Sequence, residues 1–479
     1  MPSVDLRDFI AALERSGDLV RIMKEVDWDM EVGAISRRVF EQAGPALLFE
    51  KIKDYPPGYS ILNGPVATWR RVAIALDLPP ETSVRQLYAA YEERHQKKIE
   101  PVVVQSATCQ ENAMIGPEVD IYQLPAPMVH EGDGGRYIGT WDIVITKDPE
   151  TGWTNWGTYR FMIHTKDLLA GWPQATSHLA VIMKGKYLPR KQAMPIAIVI
   201  GCEPLCHMVA TDPYKLGEDE VAYAGGLRGA PVEIIQCKTN DLMVPARCEI
   251  VIEGELLPDR IAIEGPFGEY PGYRSGTMGE GVLVQITGIT HRRDPIITLS
   301  TLGIPPDDSS IAASLTAAIA MKRGLKRHGI PVTDVYVPPE GVTHLVIVGV
   351  EHGGSKVARE VLDYFTARRV MVSKVIVIER DVDVFDMNQV IHAFSTKCHP
   401  GRGITLEHYE GRGNALTPCY SSDERRRLKG TSVVFDATWP EDWEAEAIPI
   451  KASFKTTYPE SVRQKVLANW ESYGLGGKP

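Results

Sequence analysis

Apolar residues recur at helical spacing from the start of the chain. Over residues 4–20, Leu6, Phe9, Ile10 and Leu13 fall on one face, which predicts an amphipathic helix. A second helical stretch is expected near 30–43 and a longer one near 82–98. The latter ends in EERHQKK, read as a solvated face. From about residue 101 the pattern changes from helical to alternating. The runs DIVIT, IAIVIG, EIIQC, CEIVIEGELL, VLVQITGI and IITLST are separated by Gly and Pro turns. Such a series predicts an antiparallel sheet or barrel.

IPPDDSS at 304–310 interrupts the alternation. Asp308, Ser309 or Ser310 is expected to cap the helix that follows, IAASLTAAIAMKRGLKRHG, long enough to link two domains. Strand-like and helix-like runs then take turns: HLVIVGV, SKVAREVLDYFTARR, KVIVIERDVDVFD and MNQVIHAFST. That alternation predicts parallel strands with crossover helices. YPESVRQKVLANWESYGL closes the chain as a capped amphipathic helix, whose Val462, Val466, Leu467 and Trp470 need a surface to bury against. The textures divide the chain at 1–110, 111–305, 306–328 and 329–479.

Composition narrows the function classes. At 479 residues, 44% hydrophobic and 24% charged, the chain matches an ordinary multidomain globular protein. A net charge of −10 argues against nucleic acid or an anionic membrane as partner. No apolar run reaches the length of a membrane span, and the N-terminus lacks the pattern of a signal peptide. Seven scattered cysteines are expected to be reduced thiols, which points to the cytoplasm.

Candidate chemistry begins with EGPFGE, where Glu264 and Glu269 flank a Gly-Pro-Phe-Gly turn. Two carboxylates held close split their proton affinities, so one can act as an acid. A solvated surface turn is the plain alternative. NWGTYRFMIH (155–164) holds Asn155 and Arg160, and an arginine between two glutamates sets which one ionises. ATSHLA (175–180) holds His178, and GEDEVAYAGGLRG (217–229) holds Glu220 at a helix start. Each has a structural reading of its own: a strand with a surface ion pair, a core histidine, a solvated carboxylate. Cys202, Cys206 and His207 are read as buried side chains rather than a metal set, and GVEHGGSK as an ordinary strand-to-helix turn.

In combination and order, NWGTYR, the His178 segment, EVAYAGGLRG, CKTNDLMVPARCEIVIEGE and EGPFGEYPGY resemble the UbiD family of reversible non-oxidative decarboxylases. The resemblance runs from about residue 100 to the end and more weakly before it. It implies an α/β (α+β) fold: a split β-barrel flavin-binding domain joined by a linker helix to an α/β oligomerisation domain. It implies prenylated FMN as cofactor and removal of CO2 from an aromatic, heteroaromatic or α,β-unsaturated acid, or the reverse. Glu269 would be the general acid, Arg160 would hold the substrate carboxylate, and Glu264 would pair with Arg160. Asn155, His178 and Glu220 would hold Mn2+ (or Mg2+ or Fe2+) at the cofactor phosphate. K+ would sit near Trp156 and VATD (209–212), while Trp156, Thr158, Arg160, Ser177, Thr211 and Lys429 would contact the cofactor. Tyr159, Phe161, Tyr270 and Tyr273 would shape an aromatic-friendly pocket. A flavin prenyltransferase as cofactor supplier and a homodimer or homohexamer complete the implied partners. The competing readings are a flavin oxidoreductase on a similar barrel, against which the lack of a dinucleotide glycine fingerprint after an early strand counts, and a subunit of a multi-component carboxylase.

Overall fold

The computed structural model describes residues 2–274, 279–367 and 370–476. The two arginines closing the predicted 355–369 helix and the last three residues of the C-terminal domain lie outside that range. The first helix spans Leu6–Ser16 and buries Leu6, Phe9, Ile10 and Leu13. Asp5 caps it by accepting from the Asp8 amide, and Gly17 ends it in the left-handed conformation. Helices Glu31–Phe40 and Val84–Arg94 follow. EERHQKK departs from the solvated reading at one point. His95 is 1% exposed, with its imidazole against Asp212 and Tyr214.

Nine strands form the central antiparallel sheet. Its middle is the long hairpin Ile250–Glu264 with Gly279–His291, flanked by Met194–Ile200 and Leu168–Gly171. Period-two alternation divides Met194–Ile200 between two cores: Ile196, Ile198 and Ile200 enter one, Ala197 and Val199 the other. The hairpin register shifts at Glu253/Gly254 and Leu257/Ile261, and such bulges bend a sheet into a curl. Two predicted strands pair elsewhere. EIIQ joins Met243–Pro245 and Val102–Val103 in a three-stranded sheet. Ile296–Leu299 runs parallel to Ser60–Asn63, which ties the barrel to the N-terminal segment.

The linking helix is Asp308–Arg327, and its cap is Asp307 rather than residues 308–310. Asp307 accepts from the Ser310 amide, and the Ser310 hydroxyl accepts from the Asp307 amide. Asp308 has turned inward and accepts from the Val66 amide at 2.7 Å. The C-terminal sheet has the order Val332–Tyr336, Leu345–Val350, Lys374–Glu379, Gly430–Ala437, Ile404–Tyr409. Its three central strands are parallel, as the alternating pattern predicts. The closing helix Glu460–Ala468 has no side-chain cap, contrary to expectation, and buries none of its residues.

Asp308 generates a pH prediction. Burial raises its carboxyl from the ordinary value of 3.8 to about 7. The unfolded chain therefore ionises first, and stability falls as pH rises from about 4 through 7. Asp308→Asn keeps the acceptor for Val66 and cannot ionise. Its unfolding free energy relative to the parent, from thermal denaturation, should become more favourable between pH 5 and pH 8, by on the order of 1–4 kcal/mol. A difference independent of pH would contradict the assignment.

Candidate active site

A cavity of about 590 Å³ lies where the curled sheet, the linking helix and the C-terminal domain meet. Strand Thr154–Gly157 delivers Asn155 and Trp156 to it. The sheet then breaks for three residues before Phe161–Ile163, which lets Arg160 leave the strand plane. Arg160 donates through Nε to Glu264 Oε1 at 2.8 Å and through Nη2 to Oε2 at 2.7 Å. Its third nitrogen, Nη1, pairs with Glu269 Oε1. The rings of Trp172 and Phe267 each lie 5.2 Å from the guanidinium carbon. Glu264 also accepts from the Tyr137 hydroxyl at 2.6 Å. Burial, together with the Glu264 charge, raises the Tyr137 phenol and keeps it a donor.

EGPFGE is not a solvated turn. Glu264 ends its strand at 1% exposure, Phe267 is buried against the Tyr137 ring, and Glu269 is 7% exposed. The loop HEGDGG holds the turn in place. Asp133 Oδ1 accepts from the Gly268 amide at 3.0 Å, while Oδ2 accepts from the His130 amide. The Gly134 amide donates to the Pro266 carbonyl at 2.7 Å. Asp133 and Tyr137 escaped sequence reasoning. The only local signal was an acid set among glycines just before a strand.

Asn155, His178 and Glu220 form a second group on the cavity wall. His178 begins a helix capped by the Ser177 hydroxyl, and Glu220 begins Glu220–Arg228. His178 Nδ1 lies 2.8 Å from Asn155 Oδ1. Since that oxygen only accepts, Nδ1 carries the proton and Nε2 keeps its lone pair. Burial lowers the His178 pKa and raises the Glu220 carboxyl to about 8. Glu220 Oε2 and Asn155 Nδ2 are both buried without a hydrogen-bond partner. A buried carboxylate oxygen left bare is costly unless a cation meets it. Oxygen donors with one imidazole suit a hard divalent ion. Among the described residues no three His, Cys, Asp or Glu side chains converge on a metal position, so an anionic ligand would have to complete the shell.

The remaining predicted residues divide. Trp156, Thr158, Ser177 and Thr211 line the cavity. The Thr158 hydroxyl donates to the Asp142 carbonyl and that of Thr211 to the Met208 carbonyl. Lys429 is exposed before strand Gly430–Ala437 and does not line the cavity. Tyr159 and Tyr270 do line it, but Phe161 is in the core and Tyr273 is 66% exposed. Trp172, Phe267, Leu302, Met371 and Leu416 supply the apolar walls instead, from segments far apart in sequence. Cys202 and Cys206 are buried thiols, and burial raises Cys202 to about 11 and lowers His207 to about 3.

Gly134 makes the loop contact testable. A Cβ there would sit 2.1 Å from the Gly265 carbonyl oxygen. Gly134→Ala should cost about 1–3 kcal/mol in urea denaturation, because backbone must move to admit it. An unchanged midpoint would mean the two loops are not in contact.

Comparison with known proteins bears on the family of the chain. Three family models describing the domains of 3-octaprenyl-4-hydroxybenzoate carboxy-lyase match in order. They are the N-terminal domain at 10–91, the Rift-related domain at 101–305 and the C-terminal domain at 310–437. The chain is 31% identical to pyrrole-2-carboxylic acid decarboxylase of Pseudomonas aeruginosa, over 99% of both chains. Vanillic acid decarboxylase of Sedimentibacter hydroxybenzoicus in its closed form superposes with a TM-score of 0.86 at 30% identity, covering 99% of this chain and 98% of that one. An evolved dimeric form of the UbiD-class enzyme HmfF from Pelotomaculum thermopropionicum, solved with prenylated FMN, gives a TM-score of 0.79 at 28% identity over 93% of this chain and 97% of that one.

Proposed function

The chain belongs to the UbiD family, and on that footing we propose reversible, non-oxidative decarboxylation of an aromatic, heteroaromatic or α,β-unsaturated carboxylic acid with prenylated FMN. It is a carboxy-lyase. The observation that carries the reading is Arg160 forked between two buried glutamates at the wall of an aromatic-lined cavity.

Prenylated FMN, when bound, supplies the electron sink that lets CO2 leave an unsaturated carbon. The side chains do the rest. Glu264 accepts three hydrogen bonds, two from Arg160 and one from Tyr137. Arg160 is thereby fixed in direction, with Nη1 facing Glu269 and the cavity. A substrate carboxylate entering beside Glu269 would meet that guanidinium edge through a charge-assisted hydrogen bond. Glu269 has no second carboxylate-directed clamp of this kind. It is the group able to carry a proton and give it to the substrate carbon as CO2 departs. Trp172, Phe267 and Leu302 keep bulk water from competing for that proton.

Asn155, His178 and Glu220 would hold Mn2+ (or Mg2+ or Fe2+), which would offset the charge of the cofactor phosphate. K+ would sit by Trp156 and residues 209–212, whose Asp212 carboxylate lines the same cavity. Trp156, Thr158, Ser177 and Thr211 would contact the cofactor. Lys429 would do so only after a rearrangement of its segment, since it is exposed outside the cavity. A flavin prenyltransferase would supply the cofactor. No helix among the described residues is long and apolar enough to cross a membrane. The unpaired cysteines suit the cytoplasm.

The chain would assemble as a homodimer or homohexamer through its C-terminal arm. Ile450, Phe454, Tyr458, Val462 and Leu467 are all exposed along it. A second copy of the chain would cover them.

Two measurements test the proposal. Glu269→Gln should lower decarboxylation at least a hundredfold while cofactor and metal content, read by mass spectrometry, stay at the parental level. Full activity in that variant would remove Glu269 as the acid. Ile450→Asp combined with Phe454→Asp should shift the light-scattering mass from dimer to monomer. An unchanged dimer would place the interface elsewhere.

A further inference from the structure

The proton donor is anchored from two domains. On its own domain, Asp133 holds the Gly268 amide. On the other side of the cavity, Asn414 stands in the loop after strand Ile404–Tyr409 and is 2% exposed. Its Nδ2 donates to the Tyr270 hydroxyl at 2.8 Å, and its Oδ1 accepts from the Leu416 amide at 3.0 Å. Tyr270 is the residue after Glu269, and both Tyr270 and Leu416 line the cavity. One asparagine therefore fixes a wall residue of the C-terminal domain and the neighbour of the acid together.

Two further contacts converge on the same tyrosine. The Tyr270 ring lies 6.2 Å from that of His344, centroid to centroid. His344 Nδ1 meets the Met371 carbonyl at 3.2 Å, and Met371 is another wall residue. Beside them Val342 and Thr343 both have positive φ, 42° and 64°. Left-handed backbone at two successive β-branched residues is costly, and it persists only where surrounding structure holds it. Thr343 lines the cavity as well. The Glu269 turn is short and self-bonded: the Glu269 amide donates to the Tyr273 carbonyl, and the Gly272 amide donates to the Glu269 carbonyl. A displacement of Tyr270 is thus passed directly to Glu269.

We propose that Tyr270 and Asn414 are positioning residues that seat Glu269 against Arg160 through docking of the C-terminal domain. The proton donor is then complete only when both walls of the cavity are in place. This rests on the decarboxylase reading, in which Glu269 is the acid.

The test uses the full chain loaded with prenylated FMN, with Tyr270→Phe, Asn414→Ala and the double variant. Tyr270→Phe removes one oxygen and keeps the ring, so the fold and cavity wall are retained. The activity probe is whichever acid the parent protein decarboxylates fastest among benzoic, cinnamic and pyrrole-2-carboxylic acids. Each single variant should lower kcat at least fivefold with KM changed less than twofold. The double variant should be no slower than the slower single one. Hydrogen–deuterium exchange of a peptide spanning residues 264–274, measured on FMN-loaded protein, should rise to a similar extent in all three. Parental kcat in Tyr270→Phe, additive losses in the double variant, or unchanged exchange in that peptide would overturn the proposal. Should the parent decarboxylate none of the acids, the decarboxylase reading fails on these probes, and the exchange measurement alone decides the Tyr270–Asn414 link.

Discussion

One guanidinium between two buried carboxylates constrains the rest of this cavity. Two glutamates cannot both sit ionised and dry side by side without a cation. Arg160 meets that need with two bonds to Glu264 and one contact to Glu269. The asymmetry matters for chemistry. Glu264 accepts twice from Arg160 and once from Tyr137, while Glu269 meets a single guanidinium nitrogen at the cavity wall. The break between Gly157 and Phe161, the aromatic rings on either side of Arg160 and the loop bearing Asp133 all serve to keep that arrangement in register.

The second charged corner follows a different logic. Asn155, His178 and Glu220 come from a strand and two helix starts, and they leave a carboxylate oxygen and an amide nitrogen buried without partners. The protein supplies oxygen ligands and an imidazole lone pair but too few of them to close a shell. Such a corner leaves buried polar atoms for a ligand to satisfy. Both groups border one cavity, whose lining also includes Trp156 and Tyr159.

Legibility in the sequence followed the range of the interactions. The helix Leu6–Ser16 was readable because its cap, stop and apolar stripe all lie within a dozen residues. The barrel strands were readable from alternation, but the partners of EIIQ and Ile296–Leu299 were not, because pairing depends on distant segments. Asp307 displaced Asp308 as cap for the same reason: Asp308 is drawn away by the Val66 amide, 242 positions off in sequence. At the site, Glu264, Arg160, Glu269, Asn155, His178 and Glu220 were named from ordered motifs, and they fall on one cavity or its immediate support. Asp133, Tyr137 and Asn414 were hard to read because the contact that ties each to the site joins segments far apart in sequence. Lys429, a cofactor contact that the resemblance implies, is exposed outside the cavity.

The account stands or falls on the cofactor. The direct measurement is the absorption spectrum of the protein and the mass of the flavin released from it, after co-expression with a flavin prenyltransferase and supply of Mn2+ and K+. The account predicts prenylated FMN at close to one equivalent per chain. Unmodified FMN that supports NADH oxidation, or no flavin under any of these conditions, would contradict it.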